Sequence, residues 1–160
     1  MGDFNIKINT DDVNKTLKDL KEKISDLSQR LSEDVCAIGA VEASLAYSRT
    51  ALGERIPDVN ITVKKDNANS AMLIAQGKDV LFSEFGTGIR YGNGHPSPHG
   101  YGAGTYPSDK QNWKNPKGWY YSEDGITHHT YGNAPSAAMY NASKKMVESI
   151  QDVVRNYLKW

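Results

Sequence analysis

The chain has 160 residues, with 19 lysines and arginines against 19 aspartates and glutamates, so its formal net charge is zero. That length suits one domain around one core, and the balanced charge excludes a nucleic-acid binder that works chiefly by neutralising phosphates, which needs a basic excess or stripe. A lone cysteine, Cys36, excludes an intrachain disulfide framework, and the absence of both a leader pattern and a run of ~20 apolar residues points to a cytosolic protein with no membrane partner.

In chain order, Phe4, Ile6 and Ile8 alternate with Asn5, Lys7 and Asn9, which predicts a short strand with one buried face. Thr10-Asp11-Asp12 then supplies an N-cap and two carboxylates for the positive end of a helix. Val13, Leu17, Leu20, Ile24, Leu27 and Leu31 recur at alternating steps of four and three, the narrow stripe of a coiled-coil seam. Such a helix needs a partner helix. Val35, Ile38, Val41 and Leu45 continue a similar stripe, so Ser32-Glu33-Asp34 either caps a second helix or lies within one long one. Helix is expected to about Leu52, with Gly53 as the stop. Small residues along its second half (Ala37, Gly39, Ala40, Ala43, Ala46) permit close approach of a sheet or helix, and Cys36 among them reads as a small buried side chain.

Beyond Pro57, Val59, Ile61 and Val63 alternate with polar residues, and 71–76 is a second strand; the Asp66-Asn67-Ala68-Asn69 turn composition between them predicts a hairpin. Residues 80–85 suit either a buried strand or a short helix, because periodicity cannot decide six residues. From 86 to 134 runs a long excursion holding ten of the fourteen glycines, six of the nine tyrosines and all four histidines, with little apolar periodicity. Long loops in compact domains are either functional or disordered, and disorder goes with few aromatics. This one is therefore expected to order against something. Within it, Trp119-Tyr120-Tyr121 and 126–131 flank Glu123-Asp124-Gly125 as a second hairpin. Pro135 is placed for the first turn of a last helix, whose apolar stripe runs through Met139, Ala142, Met146, Ile150, Val153 and Tyr157.

Candidate chemistry is sparse. His95, His99, His128 and His129 suggest a metal-dependent hydrolase or nuclease, but Pro96 and Pro98 exclude a regular helix at the first pair. The second pair are neighbours in a strand and should point to opposite faces. No metal, cofactor or catalytic residue is therefore assigned. Gly86-Thr87-Gly88 lacks the Gly-Lys-Ser/Thr of a phosphate loop. Glu84, Phe85, Gly86, Thr87 and Gly88 are read as a structural turn, with the Glu84 carboxylate accepting backbone N–H groups or pairing with Arg90. Tyr91, Tyr101, Tyr106, Trp113, Trp119, Tyr120, Tyr121 and Tyr131 have the composition of a protein interface. A glycan-binding platform would use the same rings.

The series Glu84-Phe85-Gly86-Thr87-Gly88, the Gly-Tyr-Gly-Ala-Gly-Thr-Tyr-Pro tract at 100–107, the Gly-Trp-Tyr-Tyr segment before the Asp-Gly turn at 118–125, and Asn133-Ala134-Pro135 before an alanine- and methionine-bearing helix resembles a tail-component family of tailed bacteriophages. These are proteins of the neck or tail-completion region, where head and tail join. The resemblance implies a virion protein, assembled in the host cytoplasm as a homo-oligomeric ring between connector or head-completion proteins and tail-terminator or tail-tube proteins. It implies no enzyme and no specific nucleic acid, though DNA would pass through the ring. The expected architecture is a single α+β domain spanning 1–160: N-terminal long helices, a small antiparallel sheet, the long loop with its hairpin, and a C-terminal amphipathic helix.

Overall fold

A computed structural model describes residues 10–50, 52, 56–67, 69–88, 95–96 and 115–158. The expected strand at 4–8 and the turn residue Gly53 lie outside these, as do Arg90, Tyr91, His99, Tyr101, Tyr106 and Trp113. The architecture is α+β, in the order α1 (Thr10–Ser48), β1 (Asn60–Asn67), β2 (Ser70–Gln76), α2 (Val80–Phe85), β3 (Trp119–Glu123), β4 (Ile126–Thr130) and α3 (Ala138–Tyr157).

The N-terminal helix is one continuous element, with Asp11 and Asp12 in its first turn. Ser32-Glu33-Asp34 does not break it, because Ser32 Oγ bonds back to the Gln29 carbonyl at 2.8 Å instead of capping a new start. The helix ends at Ser48, four residues short of the expected Leu52. There the Arg49 and Thr50 amides close i→i−3 bonds onto Ala46 and Tyr47, and the Ser48 and Thr50 hydroxyls take the Leu45 and Ala46 carbonyls. These bonds use up the last carbonyls and end the ladder.

The face of α1 that meets the rest of the fold carries its small residues. Ala43 and Tyr47 form the core with Ala138 and Ala142 of α3, bordered by Val59, Ile61, Leu73 and Ala75 of the first hairpin segment. At Gly39 the approach is closest, since a Cβ there would lie 2.5 Å from Met146 Sδ and 3.1 Å from Leu73 Cδ2. Contacts between Gly39 and Met146 and between Asp34 and the Tyr157 hydroxyl (2.7 Å) fix α3 antiparallel to α1. Thus α3 runs beside the part of the seam where Leu27, Leu31, Val35 and Ile38 are half-buried, whereas Val41 and Leu45, expected to continue the stripe, are 62 % and 46 % exposed. The first half, from Thr10 to Ile24, is exposed throughout.

β1 and β2 pair antiparallel with Ile61 opposite Ala75 and Val63 opposite Leu73, and the register shifts between Lys65 and Asn67 where the turn begins. The ambiguous 80–85 segment is helical. Asp79 does not cap it; its carboxylate accepts from the Asp58 amide at 2.8 Å and so ties the start of α2 to the strand entrance. α3 begins at Ala138, three residues after Pro135. The delay has a direct cause: the Ser136 and Ala137 amides are donated to the Ser83 and Glu84 carbonyls of α2. That holds the chain out of the helical path, and Ala137 sits at φ 48°.

Candidate functional site

α2 places Glu84 in the interior, where the residue is 5 % exposed. A buried charge is costly unless hydrogen bonds replace its water shell. Here four donors do so. Oε2 accepts from the Tyr47 hydroxyl and the Met139 amide, both at 2.9 Å. Oε1 faces His95 Nε2 at 2.9 Å and accepts the Tyr140 amide at 3.1 Å.

Met139 and Tyr140 are the second and third residues of α3. Their amides are the ones a Ser, Thr or Asp at the N-cap would normally satisfy. Ala137 occupies that position and has no acceptor, so Glu84 caps the helix from another element, with its negative charge at the positive end of the dipole. The glycine turn that follows it donates nothing to this carboxylate among the described contacts. Burial, then the charge of Glu84 and the bond to it, push the Tyr47 phenol well above its ordinary value.

The same segment closes the base of the excursion. Thr87 and Asn133 exchange backbone hydrogen bonds at 2.9 and 3.0 Å, and Thr87 Oγ1 meets Asn133 Oδ1 at 2.6 Å. The Asn133 side-chain amide reaches the Phe82 carbonyl at 2.9 Å. Gly132 lies against Thr87 at φ 88°, where a Cβ would fall 2.0 Å from the Thr87 oxygen. Thus the two ends of the excursion, 84–88 and 132–137, are stitched to each other. His95 adds a tether from within it, packed between the Phe85 ring (4.7 Å) and the Tyr140 ring (5.5 Å, edge-on) while bonding Glu84.

The second hairpin stands on this clasp. Asp124 and Gly125 both take positive φ, 52° and 76°, the signature of a two-residue turn that matches strand twist. Tyr120 pairs with His129 and Tyr121 with His128, so the two histidines face opposite sides. On one face Tyr121 stacks on His128 at 5.3 Å. On the other, His129 lies 4.8 Å from both Tyr120 and Tyr131. That face is open: Tyr120 is 72 % exposed and Tyr131 43 %. Trp119 and Tyr121 are half-buried, Trp119 with its ring over Gly88, and Lys78 anchors the hairpin through Glu123 at 3.3 Å.

Four of the eight expected interface rings, Trp119, Tyr120, Tyr121 and Tyr131, are thus gathered on or beside one hairpin; the other four lie outside the described residues. Among the described residues no three His, Cys, Asp or Glu side chains converge as metal ligands. Cys36 is buried, which pushes its thiol up and away from the reactive thiolate form. A polar hollow between α1 and α3, lined by Glu42, Asn141, Lys144, Lys145 and Glu148, lies apart from the rings.

Sequence reasoning missed Tyr47, had Asn133 only as a motif member, and weighed His95 only as a metal ligand. The cap was not readable, because the sequence opens the helix at Pro135 and only the structure moves its start to Ala138, where Ala137 offers no capping side chain. Searches of protein-family models, curated proteins and solved structures find no match to this chain.

Proposed function

We propose that the chain is a structural virion protein of the phage neck or tail-completion apparatus, one subunit of a ring that joins head connector to tail. The reading is supported by the ordered motif series and by the use to which the fold puts two of its members. The Glu-Phe-Gly-Thr-Gly and Asn-Ala-Pro segments lock together, and an aromatic hairpin rises from the lock. The observation that carries it is the saturation of Glu84. Both carboxylate oxygens are engaged by two groups each, which leaves no lone pair to take a proton from a substrate and makes the group a structural keystone. Rigid rings on a fixed base suit interface burial at small entropic cost. A head-to-tail contact of this kind closes into a ring, whose repeated contacts multiply a modest pairwise affinity.

The test is complementation of a phage lacking this chain with Tyr120→Ala/Tyr131→Ala. Filled heads and free tails should accumulate unjoined in electron micrographs, while the purified variant keeps the circular dichroism and melting temperature of the parent. Normal yields of infectious particles would remove the assignment. The exposed Tyr120 face also suits a glycan platform. That second reading predicts retention on a glycan column, weakened by Tyr120→Ala or Tyr131→Ala on that face, with joining unaffected.

A further inference from the structure

The first fifteen residues of α1 project, by helix rise, about 22 Å as an exposed rod. Every residue from Thr10 to Ile24 is exposed, including Val13 (51 %), Leu17 (58 %), Leu20 (52 %) and Ile24 (58 %). These four continue the seam that α3 covers further along. Because α3 runs antiparallel to α1 with Met146 beside Gly39, its end at Leu158 comes level with about Leu27 at 1.5 Å per residue. The bare stretch starts where α3 stops.

We infer that a second copy of this chain covers that stretch, the two α1 projections pairing antiparallel about a two-fold axis between Lys18 and Asp19. Two features of the chain select this occupant.

The first is spacing. In that register Val13 faces the partner's Ile24 and Leu17 faces the partner's Leu20, and the two-fold repeats both contacts, so all four apolar positions of each copy are matched. Shifts by one residue break every match.

The second is charge. The projection begins with Asp11 and Asp12 and has Lys21 and Lys23 flanking the seam at its other end. Antiparallel pairing brings the acidic end of each copy to the basic end of the other. Lys21 then falls beside the partner's Asn14 and Lys23 beside the partner's Thr16, with the partner's Asp11 and Asp12 one turn away. Counting every charge, Asp11, Asp12 and Lys15 give the first part a net −1, and Lys18, Asp19, Lys21, Glu22 and Lys23 give the second a net +1, so parallel pairing sets like net charges side by side and antiparallel pairing sets opposite ones. A head-to-tail helix junction also forms, since the end of α3, with Arg155 in its last turn, meets the start of the partner's α1.

Eight half-bare side chains offer roughly 700 Å² of apolar surface, and lysine stems bring the total to the low end of the ~1,200 Å² of specific interfaces. An interface of that size is of the weak, reversible kind. It belongs to the free chain and does not depend on the neck assignment.

Sedimentation velocity of the full chain from about 5 μM to 500 μM reads the equilibrium. A reversible monomer–dimer system is expected. Leu17→Glu/Leu20→Glu should weaken it at least about 100-fold, because each copy would bury two charges in the seam, with circular dichroism unchanged because both sites are exposed in the monomer. In a Cys36→Ala background, mixing Asn14→Cys with Lys21→Cys chains should give the mixed disulfide, and neither alone should cross-link. A monomer at all concentrations overturns the proposal, whether residues 1–9 cover the stripe in cis or the chain instead pellets with anionic vesicles. So does a dimer that survives Leu17→Glu/Leu20→Glu, or self-cross-linking of either single-cysteine chain.

Discussion

Glu84→Gln isolates what the buried carboxylate contributes, because the amide keeps the volume and one acceptor oxygen. Whichever way the amide turns, its NH₂ replaces an oxygen that now meets one side chain and one backbone N–H: Tyr47 with Met139 on one side, His95 with Tyr140 on the other. The side-chain partner can adapt. A tyrosine hydroxyl can turn to accept, and a neutral histidine can present its other tautomer. The helix amide cannot. One N–H at the start of α3 is thus left buried against a donor, at about 1–3 kcal/mol, and loss of the charge removes about 0.3–1 kcal/mol of dipole stabilisation. The total, about 1–4 kcal/mol, is a large share of the ~5–15 kcal/mol that holds a domain together. In urea unfolding followed by far-ultraviolet circular dichroism, the midpoint should fall by roughly 0.5–2 M with the slope unchanged. A loss under ~0.5 kcal/mol would mean that Glu84 does not cap α3. Glu84→Ala is less informative, since it strands all four groups and risks unfolding the chain outright.

Two further outcomes follow from the same geometry. The folded state keeps the Tyr47 phenol protonated while the unfolded chain ionises near its ordinary value of 10.0. The unfolded state then binds fewer protons, so stability is intact below about pH 10 and falls above it by at most about 1.4 kcal/mol per pH unit from this group. Tyr47→Phe should lose the bond to Glu84, costing about 1.5–3 kcal/mol at neutral pH, and should show a shallower decline from pH 10 to 11; an unchanged alkaline slope in chemical-denaturation titrations would contradict the buried assignment. Gly132→Ala forces a Cβ into the Thr87 carbonyl at a positive φ, which should destabilise by about 2–4 kcal/mol and speed hydrogen exchange at the Thr87 and Asn133 amides first, before the α1 and α3 amides. Uniform exchange across the chain would show that the clasp has no separate opening.

Elements with long, repeated patterns were legible from sequence. The α1 seam and the β1 alternation each repeat a local rule several times, and the Asp-Gly turn between β3 and β4 is a strong local signal by itself, so tertiary context had little room to override them. The misplaced boundaries share a cause. α3 looks as if it should open at Pro135, yet the Ser136 and Ala137 amides that would open it are taken by the Ser83 and Glu84 carbonyls of α2, 53 residues earlier in the chain. α2 is too short for periodicity and is helical because its end carbonyls receive those distant donors. Glu84 illustrates the same limit at the level of a side chain. A carboxylate beside a glycine turn was readable as an N–H acceptor, but which N–H groups it takes depends on where α3 begins, and that in turn depends on Glu84.

The distribution of side-chain sizes bears on both the neck assignment and the dimer. The core is lined by Ala43, Ala138, Ala142 and Gly39, with Tyr47 as its one large ring, while Val13, Leu17, Leu20, Ile24, Val147 and Ile150 stand more than two-fifths exposed. Scattered exposed leucines mean little. A stripe of four at coiled-coil spacing on a projecting rod is different, because contiguous apolar surface of this kind marks contact with another molecule. Small residues inside let α1 and α3 approach closely enough for a carboxylate on a third element to cap one of them and bond the end of the other. Large apolar residues are thereby left at the surface. Filling the core instead, as with Gly39→Leu, should push α3 off α1 and break the Met139 and Tyr140 bonds to Glu84. The clasp beneath the aromatic hairpin and the bare stripe on α1 are two consequences of one packing choice.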